Sequence, residues 1–369
     1  MNKRERALKA LHIEEPDRVP ITELDIEIPH METLTGSRFS GNYSLQTSVS
    51  ADRKHEATYI KIKAKCYKKL CFDVVFSDLS APDGWETVVK QNGTTTDEWG
   101  RVLVRDSQTK AWLPGGSIFK TPEDFKGFVS NSPDPNAPGR TFAAEYMKKI
   151  VGEEMAVAVF IRDPFAHVWE MFTPTTFVRW MYEKPQLVRK ALKVLTKFNI
   201  EVIKCLADVG VDFIVSGGDY CETKGPMVPV KYFREVIFPL LKKQVEVAHK
   251  GGLKFIKHTD GNVNPLLDYL VNIVDGVHSL DPSAGVDIGE VKEKYGDKLV
   301  LMGNVSVDNL ATKSRKEVVE ETKECIRKAS PGGGHFLSSS NSWFAGAKLD
   351  NCLAMVETGK KYGRYPITV

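Results

Sequence analysis

Eight short apolar runs, rich in β-branched residues, recur along this chain, and most are separated by stretches with helical spacing. They are VPITEL (19–24), DVVFSDL (73–79), VAVFIR (157–162), VDFIVSGGD (211–219), LKFIKHTDG (253–261), VDGVHSL (274–280), LVLMGNVS (299–306) and HFLSSSNS (335–342). Hydrophobicity within each run is near-continuous rather than alternating, as in a parallel strand buried on both faces. Parallel neighbours need a long crossover, which a helix supplies. Eight such units predict a closed (β/α)8 TIM barrel rather than an open sheet. A dinucleotide-binding open sheet would need GxGxxG after an early strand, and the chain has none. The glycines at 332–334 are not followed by Lys-Ser/Thr, so they make no P-loop.

Leu192, Leu195, Phe198, Val202 and Leu206 fall three or four residues apart and predict one helix, starting at Thr173 or Thr175 and stopping at Gly210. Residues 85–125 break the β/α rhythm: QNGTTTDEWGRVLVRD and WLPGGSIF read as β-hairpins inserted after the second strand. The polar stretch 36–54 reads as a loop or lid. One domain over residues 1–369 is expected, with an N-terminal helix and lid within about 1–60 and the insertion within about 85–125.

A formal charge of +3, with basic residues scattered among acids, offers nucleic acid no surface. No run approaches the ~18 apolar residues of a membrane helix. The charged, amphipathic opening is unlike a signal peptide. Six cysteines (Cys66, Cys71, Cys205, Cys221, Cys325, Cys352) form no CxxC pair and read as free thiols of a cytoplasmic protein.

Chemistry in such a barrel sits at the carboxyl ends of the strands. Polar residues gather there: Glu23 and Asp25, Asp78, Arg162 and Asp163, then Asp219, Cys221 and Glu222. His258 and Asp260 follow, then His278 and Asp281, Asn304, and finally Ser338, Ser340 and Asn341. Taken singly, His258 reads as a satisfied structural histidine. Asp260-Gly261 reads as a turn, Glu222 as a helix cap and Cys221 as an inert thiol. Trp169 and Trp343 suit core or pocket wall equally. His335, following three glycines, is expected at the opposite, stabilising end of its strand. Together, Glu222, His258 and Asp260 offer one nitrogen and two carboxylates, a catalytic zinc set with one position open. A metal-free acid/base cluster of the same groups would suit a decarboxylase or isomerase.

At these residues the chain resembles the uroporphyrinogen decarboxylase superfamily, whose members are (β/α)8 barrels. The resemblance is carried by KRERALKALHIEEPDRVPI, DEWGR (97–101), GPMVPVKYFREVIFPLLKKQVEVAHKGG, FIKHTDGN, LMGNVS and the glycine-rich approach to the last strand. True decarboxylases of the superfamily carry an arginine-containing MRQAGRY-type segment. This chain has the acidic ITELDIEIPHMETLTG instead, and SSNSW in place of their Gly-His-Gly. Coenzyme M methyltransferases of the superfamily hold zinc with His-x-Cys and a later cysteine. Here Asp260 and LSSSNS stand at those places, and hard oxygen donors suit an oxygen substrate better than a thiol.

The resemblance thus implies an O-demethylase methyltransferase. It would move methyl from a methoxylated substrate, an aryl methyl ether, to Co(I) of a corrinoid on a partner protein, since no DxHxxG segment occurs here. The implied zinc pattern is Glu…Glu…His; Glu222 and His258 match, but Ile237 stands in the middle, so Asp260 or Asp219 is expected to complete the set. His258, Asp260 and Asp219 are the candidate catalytic groups. Trp169, Phe172 and Trp343 would clamp a ring, and Asn304 and Asn341 would orient its substituents. Three alternatives stay open: a lyase or decarboxylase of a small acid using Asp219 and His258, methyl transfer from a methylcorrinoid to an acceptor, and a non-catalytic binding barrel.

Overall fold

Seven of the eight apolar runs form one parallel sheet in the computed structural model, which describes residues 1–39, 52–86, 88–106 and 112–369. In chain order the strands are β1 (Val74–Asp78), an inserted trio β2 (Thr94–Thr96), β3 (Arg101–Arg105) and β4 (Trp112–Ser117), then β5 (Ala156–Arg162) and β6 (Phe213–Gly217). A small hairpin, β7 (Cys221–Glu222) and β8 (Gly225–Pro226), precedes β9 (Lys254–Thr259), β10 (Gly276–Ser279), β11 (Val300–Val305) and β12 (His335–Ser339). The sheet order is β1-β5-β6-β9-β10-β11-β12, every pair parallel. Every residue of β6, β11 and β12 is buried, which is why these runs lack alternation.

The first run, residues 19–24, closes the ring between β12 and β1 by bridging rather than by a full ladder. Thr22 N donates to Leu337 O (3.0 Å) and Leu337 N to Pro20 O (2.9 Å), while Asp73 N donates to Ile21 O (2.8 Å). Pro20 has no N–H to contribute, and the Ile21 N–H is taken by the Asp73 side chain at 2.7 Å. The chain is a (β/α)8 TIM-type barrel whose first strand is rudimentary.

The helix expected from 173 to 210 is two helices, Pro174–Glu183 and Pro185–Val209. Pro185 crowds the residue before it and holds Lys184 out of the helical region, at φ −135°. Gly210 caps the second helix in the left-handed conformation, as its position suggested. His335 lies at the start of β12, where its imidazole meets Ser330 Oγ and Gly303 O, each at 2.8 Å. Most of the expected lid falls outside the described residues, at 40–51.

The insertion is an antiparallel three-stranded sheet followed by helix Pro122–Val129. Buried Arg101 fastens it to the barrel by pairing with both Asp97 and Glu170. Aromatic edges complete the seam: Trp99 meets His167 and Phe198 at 4.8 Å, and Phe119 meets Phe172 at 5.8 Å. Among the described residues no helix is long and apolar enough to cross a membrane, and the six cysteines are unpaired.

Candidate active site

Strand register sets the level of the site. Arg162 pairs with Gly217, Gly217 with His258, and His258 with His278 across β5, β6, β9 and β10. These four positions therefore lie side by side near the carboxyl ends of their strands. Alternation then turns Phe160 with Arg162, and Phe76 with Asp78, toward a common cavity of about 360 Å³. That volume suits a small organic molecule.

Two loops are drawn together over β6 and β9. Gly261 lies at φ +76°, and a Cβ there would stand 2.6 Å from the Glu222 backbone, so only glycine lets the Asp260-Gly261 turn back onto the β7–β8 hairpin. Asn262 N donates to Glu222 O (3.0 Å), Tyr220 N to Thr259 Oγ1 (2.9 Å) and Asp260 N to Asp219 Oδ1 (3.2 Å). Asp219, His258 and Asp260 thereby each place a ligand atom within 4.8 Å of the others, a grouping that could hold a metal ion. Glu222, expected in this set, is exposed on the hairpin and outside the grouping; Asp219 fills its corner. The turn and the donor pair are thus one structure, with Gly261 making the bend and Asp260 supplying the oxygen.

Electrostatics favour a cation at this point. Burial pushes the His258 imidazole well below its ordinary range, against the pull of Asp219, so the ring is neutral. Burial pushes Asp260 up, and the Asp219 charge adds to the effect. Asn341 Nδ2 donates to Asp260 Oδ2, whereas buried Asp260 Oδ1 has no well-formed hydrogen bond. His258 Nδ1 is engaged with His278 Nδ1, and His258 Nε2 lies 3.9 Å from Asp260 Oδ1. Two carboxylates and one neutral imidazole, with Asp260 Oδ1 lacking a well-formed hydrogen bond, fit a divalent ion such as zinc.

The opposite wall carries its own charges. Lys63, buried on helix Arg53–Leu70, lies 3.1 Å from Asp25 and 3.8 Å from Asp78. Burial lifts Asp78 to about 6 against the attraction of Lys63. Arg162 pairs with Glu170. The two cations that the described residues bring to the lining therefore already have carboxylate partners.

Of the residues expected to hold a substrate, Asn341 lines the cavity. Asn304 instead donates to Leu280 O at 2.8 Å, a structural bond. Trp343 is fully buried against Phe72, with ring centroids 5.9 Å apart. Phe172 packs edge-on against Trp180 at 4.9 Å, and half-buried Trp169 stands apart from the lining. The aromatic walls are Phe76, Phe160 and Phe344. Phe160-x-Arg162 and Phe76-x-Asp78 share the alternation of His258-x-Asp260, which is the signal that would have found them.

Phe160 lies over Gly217: a Cβ at Gly217 would stand 1.7 Å from its ring. Gly217→Ala should therefore displace the ring, at a cost of about 1–3 kcal/mol for overpacking. A lower thermal midpoint with raised KM is the expected reading; unchanged values for both would remove Phe160 from the wall.

Residues 116–362 match the family model described as Uroporphyrinogen decarboxylase (URO-D). One relative is the uroporphyrinogen decarboxylase of Methylococcus capsulatus, 24% identical over 183 residues, or 48% of this chain and 49% of that protein. Another is the methylcobamide:CoM methyltransferase MtaA of Methanosarcina barkeri, 23% identical over 164 residues, or 44% and 47%. The matches thus span about half the length of either relative. The fold is shared over nearly the whole chain with a methyltransferase from Methanosarcina mazei, at TM-score 0.72 and 19% identity, covering 98% of this chain and 99% of that one. With the family model spanning well over half of it, the chain belongs to the uroporphyrinogen decarboxylase family.

Proposed function

We propose that the protein is a corrinoid-dependent methyltransferase of the O-demethylase type. It takes methyl from a methoxylated substrate, an aryl methyl ether, and delivers it to a reduced corrinoid on a partner protein. The carrying observation is the convergence of Asp219, His258 and Asp260 beside a small cavity with aromatic walls. Similarity to a methylcobamide:CoM methyltransferase supports methyl transfer. Among the described residues lining the cavity, Lys63 and Arg162 are already paired, which disfavours a substrate bearing many carboxylates.

Asp219, His258 and Asp260 would hold zinc. When bound, zinc supplies Lewis acidity to the leaving oxygen, and the corrinoid supplies the nucleophile that takes the methyl. The chain's own residues do the rest. Phe76, Phe160 and Phe344 enclose the ring and exclude water, and Asn341 keeps Asp260 turned toward His258. A cavity of about 360 Å³ is far too small to enclose a corrinoid macrocycle, so a corrinoid on a partner protein would stay outside it.

A metal-free lyase is the second reading, and it rests on Asp260, where burial and Asp219 favour the protonated, proton-donating carboxyl. One experiment separates the two. Protein incubated with cob(I)alamin and a panel of methoxyarenes should form methylcobalamin, and should stop after zinc is stripped by a chelator. Full activity after stripping, or CO₂ release from a small acid without corrinoid, would overturn the methyltransferase reading.

A further inference from the structure

His278 lies outside the cavity lining, yet it forms the closest polar contact to His258. Their Nδ1 atoms are 2.7 Å apart, their ring centroids 4.9 Å, and strand pairing sets them side by side on β9 and β10. Two ring nitrogens that close share one hydrogen: two lone pairs would repel, and two N–H groups would collide. Both rings are buried side by side on adjacent strands, where an unpaired charge is costly, so each carries one hydrogen and a single hydrogen lies between the two Nδ1 atoms.

Two arrangements satisfy that count. If His278 keeps the hydrogen on Nδ1, His258 carries its own on Nε2, and that nitrogen has no lone pair for a cation. If His258 carries the hydrogen on Nδ1 and donates it, His258 Nε2 is bare where it faces Asp260. His278 Nε2 is buried without a partner in either case, so the decision falls on the His258 side.

We propose that His278 is a positioning residue that selects the metal-binding tautomer of His258, accepting the His258 Nδ1 hydrogen at its own bare Nδ1 and so presenting His258 Nε2 to the ion. The proposal rests on the reading of Asp219, His258 and Asp260 as the metal set. It makes His278 the orienting partner that ligating histidines commonly have, here an imidazole in place of a carboxylate or carbonyl. The contact also pins the ring: with β9 fixing the backbone and His278 fixing Nδ1, His258 cannot flip without breaking a buried hydrogen bond.

Two variants test it. In His278→Asn the amide oxygen stands close to where Nδ1 stood and can still accept. In His278→Phe the ring volume is kept and the acceptor is lost. Zinc affinity is measured on the metal-stripped full chain by competition with a chromophoric chelator, alongside the thermal midpoint of each metal-free protein. His278→Asn should stay near wild type, and His278→Phe should bind zinc roughly 10–100-fold more weakly. Long-range ¹⁵N–¹H correlation of histidine-labelled, zinc-loaded wild type should show the His258 hydrogen on Nδ1. A His258 hydrogen on Nε2, or wild-type affinity in His278→Phe, overturns the proposal while leaving the metal set intact. Should His278→Phe fail to fold, His278→Asn and the wild-type spectrum decide. Wild-type protein that binds no zinc would overturn the metal set itself, and the role of His278 with it.

Discussion

His258→Ala should yield a folded barrel that neither retains zinc nor forms methylcobalamin. The imidazole is the sole nitrogen among the three converging donors. Its removal leaves two carboxylates, one of which burial already favours in the protonated form. On the proposed metal set a ligand itself is gone, so the loss in zinc affinity should exceed the roughly 10–100-fold that removing an outer partner costs. Stability is a separate matter. His258 stands at the end of β9, touching Phe160 and His278 rather than the interior layers of the barrel, so the circular dichroism melt should remain cooperative. Wild-type zinc binding together with wild-type methyl transfer in this variant would reject the site.

Glu23→Gln should stabilise the protein at pH 8 and above, and the benefit should vanish toward pH 4. Glu23 is fully buried, and burial lifts its carboxyl to about 8, although the Ser339 N–H and O–H both donate to it. Desolvation outweighs two hydrogen bonds. In the unfolded chain the group titrates near 4.5. Between these values the folded state holds a proton that the unfolded state has released, so stability falls as pH rises from about 4.5 to about 8 and is level above. At about 1.4 kcal/mol per pH unit, the accumulated loss is on the order of 5 kcal/mol, a large share of a typical domain's stability. Glutamine keeps an acceptor for the Ser339 N–H and cannot ionise. Urea midpoints of the two proteins across pH 4–9 should diverge with rising pH; parallel curves would mean that Glu23 is not held protonated.

The barrel was legible because strands buried on both faces read as unbroken apolar runs. The exceptions have local causes. Pro185 splits a helix whose apolar spacing continues straight through it, and Pro20 with Asp73 reduces the first strand to bridges. His258, Asp260 and Asn341 were legible as polar endings of apolar runs. The choice between Asp219 and Glu222 was not, since both stand in GGDYCE and only the fold of the two-residue hairpin turns Glu222 outward. Phe76 and Phe160 were passed over because they sit inside their strands, while Trp169, Phe172 and Trp343 stood nearer the expected rim. Lys63 reaches the cavity from a helix, and the pairing of His258 with His278 is a matter of register between strands; a sequence displays neither directly.

Glu170 answers to two arginines, Arg101 on the insertion and Arg162 at the cavity wall. The insertion is therefore not an ornament that a chimera could exchange freely. A graft lacking an arginine at position 101 would leave Glu170 to Arg162 alone, and a graft carrying one into a host without Glu170 would leave buried Arg101 with Asp97 as its one carboxylate and no tie to the barrel. Residues 94–129 and the helix bearing Glu170 should be inherited as a unit, and variation on the outer sheet should be felt in which molecules the pocket accepts.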